Sequence, residues 1–170
     1  MSKLIKNGHI ETDGWKTLTL AAGDTPQSVR LPIGSVLVPL SVWKARRAEL
    51  IQREYEHGWP LGIWLAAEEG PEAIAHDIED FTVIAVKFDK LADSNGISNA
   101  RLLRNHYGYK GELRAIGDLP REKLSYLSRA GFDTVAAYGY RGAKGNVDVT
   151  SGWFNFSTAK QSQPFIAVVG

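Results

Sequence analysis

Cysteine is absent from this chain of 170 residues. Its absence excludes disulfides, thiol redox chemistry and cysteinyl iron–sulfur ligation in one step. Histidine is scarce. His9, His57, His76 and His106 are the four, and no two stand at a metal-motif spacing such as HExxH, so the sequence gives a metal site little support. An excess of either charge is also lacking. Twenty basic residues face 19 acidic ones, for a net charge of +1, and no general attraction to nucleic acid or to a membrane surface follows from that balance. No apolar run approaches the ~20 residues of a membrane span. The opening MSKLIKNGHIETDG has charged and turn residues where a signal peptide carries its apolar core. The cytoplasm is therefore the expected location.

Nucleotide and hydrolase signatures are missing too. There is no GxxxxGK[ST] loop and no GxSxG elbow. Gly139, Gly142 and Gly145 lack the GxGxxG spacing and the strand-then-helix flanks of a dinucleotide site. They read as a flexible hairpin. No cofactor is called for, and redox chemistry generally needs one.

What is present suits one soluble globular domain over residues 1–170. Hydrophobic residues make up 44% and charged residues 23%, enough for a full-sized core. Asn7-Gly8 and Asp13-Gly14 are turn dipeptides, so residues 1–35 read as a small N-terminal hairpin and a Gly- and Pro-rich connector. A regular alternation follows over residues 36–138. Apolar runs at 36–40, 61–66, 81–88, 112–117 and 133–138 recur with helical stretches between them. Ser41 is placed to cap the first helix, over 42–56, and Gly58 to stop it. Residues 71–79 read as a short helix begun by Pro71, 97–107 as a helix with one apolar face, and 118–130 as a helix stopped by Gly131. This spacing predicts an α/β fold with a mainly parallel five-stranded sheet of βα units, either open and doubly wound or curled like part of a barrel. In both forms a site belongs at the carboxyl ends of the strands. Residues 139–170 read as an appendage ending in the apolar strand QPFIAVVG. That strand is expected to dock on a sheet edge of this chain or of a second copy.

Two cations inside apolar strands set up the candidate site. Lys87 and Asp89 share one face by the two-residue period, as do Arg114, Ile116 and Asp118. One reading is a polar pocket for a small oxyanion or acidic ligand. The other is a structural ion pair, with Lys87 snorkelling at an edge and Asp118 capping a helix. Arg101 and Arg104 are three apart on the helix that follows Asp93-Ser94-Asn95-Gly96. They either help to hold an anion at that end or bridge the helix to solvent. Arg46, Arg47 and Arg53 read as a solvated helix face.

The segment 100–118, ARLLRNHYGYKGELRAIGD, with RAGFD at 129–133, resembles a bacterial family of unknown function, domain of unknown function 934. Its members are described as probable oxidoreductases involved in sulfite reduction. VLVPLSVWKARRAEL, IAHDIEDFTVIAVKF and FNFSTAKQ extend the likeness over most of the chain. The resemblance implies a role beside sulfite reduction. It allows an accessory protein binding a small anion or a partner such as sulfite reductase, an oxidoreductase or transferase acting on a sulfur oxyanion, or a non-catalytic paralogue. Where the family has Asp-Gly-Arg-Gly-Tyr-Ser, this chain has Asp93-Ser94-Asn95-Gly96-Ile97-Ser98, so Asn95 stands in place of the loop arginine. The ligand-binding candidates are thus Lys87, Asp89, Asn95, Arg101, Arg104, Arg114 and Asp118.

Overall fold

A computed structural model describes residues 3–6, 9–88, 94–117, 119 and 124–136. The strands, in chain order, are β1 (Lys3–Lys6), β2 (His9–Thr12), β3 (Lys16–Thr17), β4 (Val36–Pro39), β5 (Leu61–Leu65), β6 (Val83–Phe88), β7 (Glu112–Gly117) and β8 (Thr134–Ala136). The helices are α1 (Leu40–His57), α2 (Ser94–Arg101) and α3 (Leu124–Ala130). All eight strands join one mixed sheet in the order β2-β1-β8-β7-β6-β5-β4-β3, curled into a half-barrel.

The five apolar runs supply β4 to β8, which are consecutive parallel neighbours. The expectation of five strands with a separate hairpin is corrected at both ends. The β1–β2 hairpin extends the sheet antiparallel to β8, and β3 extends it parallel to β4. Isolated hairpins are marginal in water, so Leu4 and Ile5 gain by burial against the sheet edge.

Asp13-Gly14 is not a hairpin turn. It lies between strands on opposite edges of the sheet, β2 and β3. Four Cα steps join Thr12 to Lys16, a reach of about 14 Å. Eight strands laid flat would separate those edges by about 34 Å. The chain closes only because the sheet curls, and residues 13–15 cross its concave face as a strap. The Asp13 carboxylate accepts the Trp15 N–H at 3.0 Å, the local bond that makes Asp a turn former. Trp15 then packs with Trp64 against Leu37, Val83, Ala85, Ile116 and Ala136, the buried cluster of the concave side.

Gly62 makes room for that strap. A Cβ there would stand 2.5 Å from Leu37 Cδ2 and 2.9 Å from the Trp15 ring. A glycine inside a strand commonly marks such a close approach. Gly62→Ala is expected to cost about 1–3 kcal/mol through overpacking. Urea unfolding checks this, and an unchanged midpoint would show that the strap is not seated there.

The convex face carries the larger core. Val36, Val38, Ile63, Leu65, Ile84, Val86, Leu113 and Val135 face Trp43 and Leu50 of α1, Ile97, Ala100 and Leu103 of α2 and its continuation, and Leu124 and Leu127 of α3. Because both faces of the parallel strands are covered, they read as unbroken apolar runs. Several local expectations are corrected. Ser41 does not cap α1. The helix starts at Leu40 directly after Pro39, whose extended conformation (φ −70, ψ 156) ends the strand. Gly58 does stop it, in the left-handed region at φ 65. Residues 71–79 form two 3-10 turns, Pro71–Ile74 and Ile78–Asp80, in place of one helix. Arg46 and Arg53 are not a solvated face. Arg46 donates to the Val29 carbonyl at 2.6 Å, and Arg53 donates to the carbonyls of Pro32 and Gly34, stapling the connector to α1. Arg47 pairs with Asp77 and Asp80.

Among the described residues no helix is long and apolar enough to cross a membrane. The glycine-rich stretch 139–146 and the apolar tail 163–170 lie outside the described residues.

Candidate functional site

The half-barrel has a mouth at the carboxyl ends of β5 to β7, beside β3. There Thr17, Thr19, Trp64, Lys87, Ile116 and Gly117 line a groove of about 350 Å³. The two-residue period puts these side chains together. Trp64 follows Gly62 on the concave side of β5. Lys87 follows Val83 and Ala85 on β6, and it stands opposite Ile116 in register. Thr17 lies beside Leu37 at the far edge. The indole of Trp64 is fixed by its N–H, which donates to the Leu18 carbonyl at 2.8 Å. The Lys87 ammonium lies 5.5 Å from the centre of the Trp64 ring, within range of cation–π attraction. Lys87 is half-buried and lines the groove.

Arg114 belongs beneath this groove. It is two residues before Ile116 on the same face, and it is only 1% exposed. Its guanidinium donates to Asp13 at 2.9 Å and to one Glu112 oxygen at 3.0 and 2.8 Å. The hydroxyl of Thr134 donates to that same Glu112 oxygen at 2.7 Å. A buried cation needs such partners. They are Asp13 of the strap and Glu112 of its own strand, and the reading of Arg114 as a structural ion pair fits this geometry.

Among the described residues, Arg101, Asn95 and Arg104 do not converge on the mouth. Arg101 is exposed on the helix layer, beside Ser98, Leu102, Asn105 and His106. Its helix packs on the convex side, so the sheet separates it from Lys87. Asn95 is exposed in the first turn of α2. Asp89 and Asp118 lie outside the described residues.

Arg104 is engaged at the opposite end of the strands. It lies in a single π-helical turn, Leu102–His106, that continues α2. Its guanidinium donates to the carbonyls of Gly131, Tyr109 and Gly111 at 3.1, 2.8 and 2.9 Å, and to Asp133 at 2.5 Å. Asp133 also accepts the Leu113 N–H at 2.9 Å. Burial raises the Asp133 carboxyl above its ordinary value, against the opposing pull of Arg104. Burial likewise pushes the Tyr109 phenol up; its hydroxyl donates to the Phe81 carbonyl at 3.1 Å. This cluster joins the amino ends of β7 and β8 to the helix layer. In barrels that end serves stability.

The concave face therefore unites Lys87 and Arg114, and among the described candidates Lys87 is the one that lines the groove. Trp64, Thr17 and Thr19 were not among the candidates. The alternation Leu61-Gly62-Ile63-Trp64-Leu65, set in phase with Lys87, would have found the indole. The two threonines have no such signal, because β3 is two residues long and its place at the sheet edge depends on the strap. Among the described residues no group of three His, Asp or Glu side chains is arranged to hold a metal ion.

The model of a family described as a bacterial protein of unknown function, DUF934, matches residues 62–163. That span covers more than half of the chain. The chain belongs to this family. The DUF934 match takes in Trp64, Lys87, Arg104 and Arg114, while Asp13, Trp15, Thr17 and Thr19 fall outside it. No curated protein and no solved structure matches the chain.

Proposed function

We propose that this DUF934 protein is an accessory protein of sulfite reduction that binds a small anion in the groove at the mouth of the half-barrel. The observation that carries the binding reading is Lys87: a half-buried cation beside Trp64, with the Thr17 and Thr19 side chains on the same groove. An ammonium held against low-dielectric walls attracts an anion more strongly than one in open water. Strand carboxyl ends are also where α/β folds place their ligands. The link to sulfite reduction rests on the family resemblance alone. The same proposal includes a cytoplasmic location, sulfite reductase or another sulfur-assimilation protein as partner, and self-association through residues 163–170.

Calorimetric titration with sulfite and sulfate tests the binding. Both anions are expected to bind the wild type, and Lys87→Met is expected to weaken them about tenfold or more, the effect of losing roughly 1.4 kcal/mol of charge-assisted contact. The fold should persist, because an unbranched apolar chain of similar length keeps the packing of the lysine stem. Absence of heat with either anion, or equal affinity in the variant, would remove the proposal.

A further inference from the structure

The groove is larger and more apolar than a bare oxyanion needs. Its volume is about 350 Å³, whereas a water molecule occupies about 30 Å³ of liquid. A single sulfite would leave most of it unfilled. Among the described lining residues Lys87 is the charged one. Lys87 and the threonines Thr17 and Thr19 supply polar groups, and the rest of the described lining is the Trp64 indole, Ile116 and Gly117. A strongly hydrated face of three oxyanion oxygens pressed on the apolar part of that lining would lose water without gaining hydrogen bonds, which is costly. Small-molecule sites commonly have this composition, with apolar walls and a few polar groups that fix orientation.

We infer that the groove takes an organic anion, with its acidic head on Lys87 and a short apolar body lying over Trp64 and Ile116. This rests on the reading of the groove as an anion site and narrows its ligand class. The geometry sets head and body side by side, since the ammonium stands 5.5 Å from the indole centre. The indole is a fixed platform because its N–H is held by the Leu18 carbonyl. The Ile116 side chain, opposite Lys87 across the β6–β7 pair, borders both parts of the ligand. Alkyl and aryl sulfonates fit the description, and each is chemically a sulfite group carrying a carbon substituent.

The probes are sulfite, methanesulfonate, 1-butanesulfonate and the neutral butyl methyl sulfone, titrated into the full chain by calorimetry. Each methylene buried is expected to tighten binding about fourfold. Butanesulfonate should therefore bind at least tenfold more tightly than sulfite or methanesulfonate, and more tightly than the sulfone. Lys87→Met should abolish the preference for the sulfonate over the sulfone. The Trp64 indole N–H resonance in the wild type should shift with butanesulfonate, a readout that needs no core substitution. Sulfite binding as tightly as butanesulfonate, with both lost in Lys87→Met, would overturn the organic-anion inference and leave the anion site standing. Sulfone and sulfonate of equal affinity, or a Trp64 resonance that does not move at saturation, would overturn the inference. No binding by any probe would overturn both.

Discussion

Arg114→Met is expected to lose about 3–5 kcal/mol of stability, the cost of removing one member of a buried ion pair. The side chains of Arg114 and Asp13 are each 1% exposed, so deleting the guanidinium leaves Asp13 a buried charge with no counter-ion. Only one Asp13 oxygen is engaged by Arg114 and Trp15; the other is buried without a hydrogen-bond partner. Asp13 therefore has little else to fall back on. The loss is large against the roughly 5–15 kcal/mol that holds a domain together. Asp13→Asn should cost less, because Arg114 keeps Glu112 at 2.8 Å. The double variant should be more stable than the sum of the two single losses, since residues in one network couple. Urea unfolding of the four proteins measures that coupling. A single loss in Arg114→Met below about 1 kcal/mol, the size of an exposed pair, would show that the strap does not depend on the ion pair.

The partnership of Asp13 and Arg114 marks where sequence reading stops. A cation in the middle of ELRAIG announces that a carboxylate must be near, and the two-residue period names the face on which to look. It does not name Asp13, which is 101 positions away. That contact exists because β2 and β3 lie on opposite edges of a curled sheet, and curl is not a property of any single segment. The alternation of apolar runs and helices was legible because each parallel strand is buried on both sides, as in Val36–Pro39 and Val83–Phe88. Lys87 was legible as a polar interruption of such a run. Trp64 was hidden because an indole in an apolar run looks like core. Arg104 was misplaced for a different reason. Three of its four partners are backbone carbonyls, and no side-chain pattern records where a loop turns its carbonyls. Gly131 was legible as a stop, but its carbonyl's role as an acceptor for Arg104 was not.

Arg104 carries the other large expected effect. Its side chain is 21% exposed and that of Asp133 12%, so the pair is nearly but not fully withdrawn from water. Arg104→Met is expected to cost on the order of 3 kcal/mol near neutral pH, toward the low end for a buried pair. The carbonyls of Gly131, Tyr109 and Gly111 lose a donor together, and Asp133 loses its counter-ion. The pH dependence gives the loss a signature. Burial holds the Asp133 carboxyl above its unfolded value even beside Arg104. A raised carboxyl contributes stability that is present below the unfolded value and is lost as pH rises through the folded one. Removing the guanidinium removes the opposing pull, so the carboxyl rises further and the loss on going to neutral pH grows. The gap between wild type and Arg104→Met should therefore be smaller at about pH 4, near the ordinary aspartate value, where the lost carbonyl contacts remain, and widen toward pH 7. Asp133→Asn in the Arg104→Met background removes the titrating group and should flatten that widening. Thermal or urea unfolding across this range measures it, and a gap that is constant with pH would mean that the carbonyl contacts alone, and not the Asp133 charge, account for the role of Arg104.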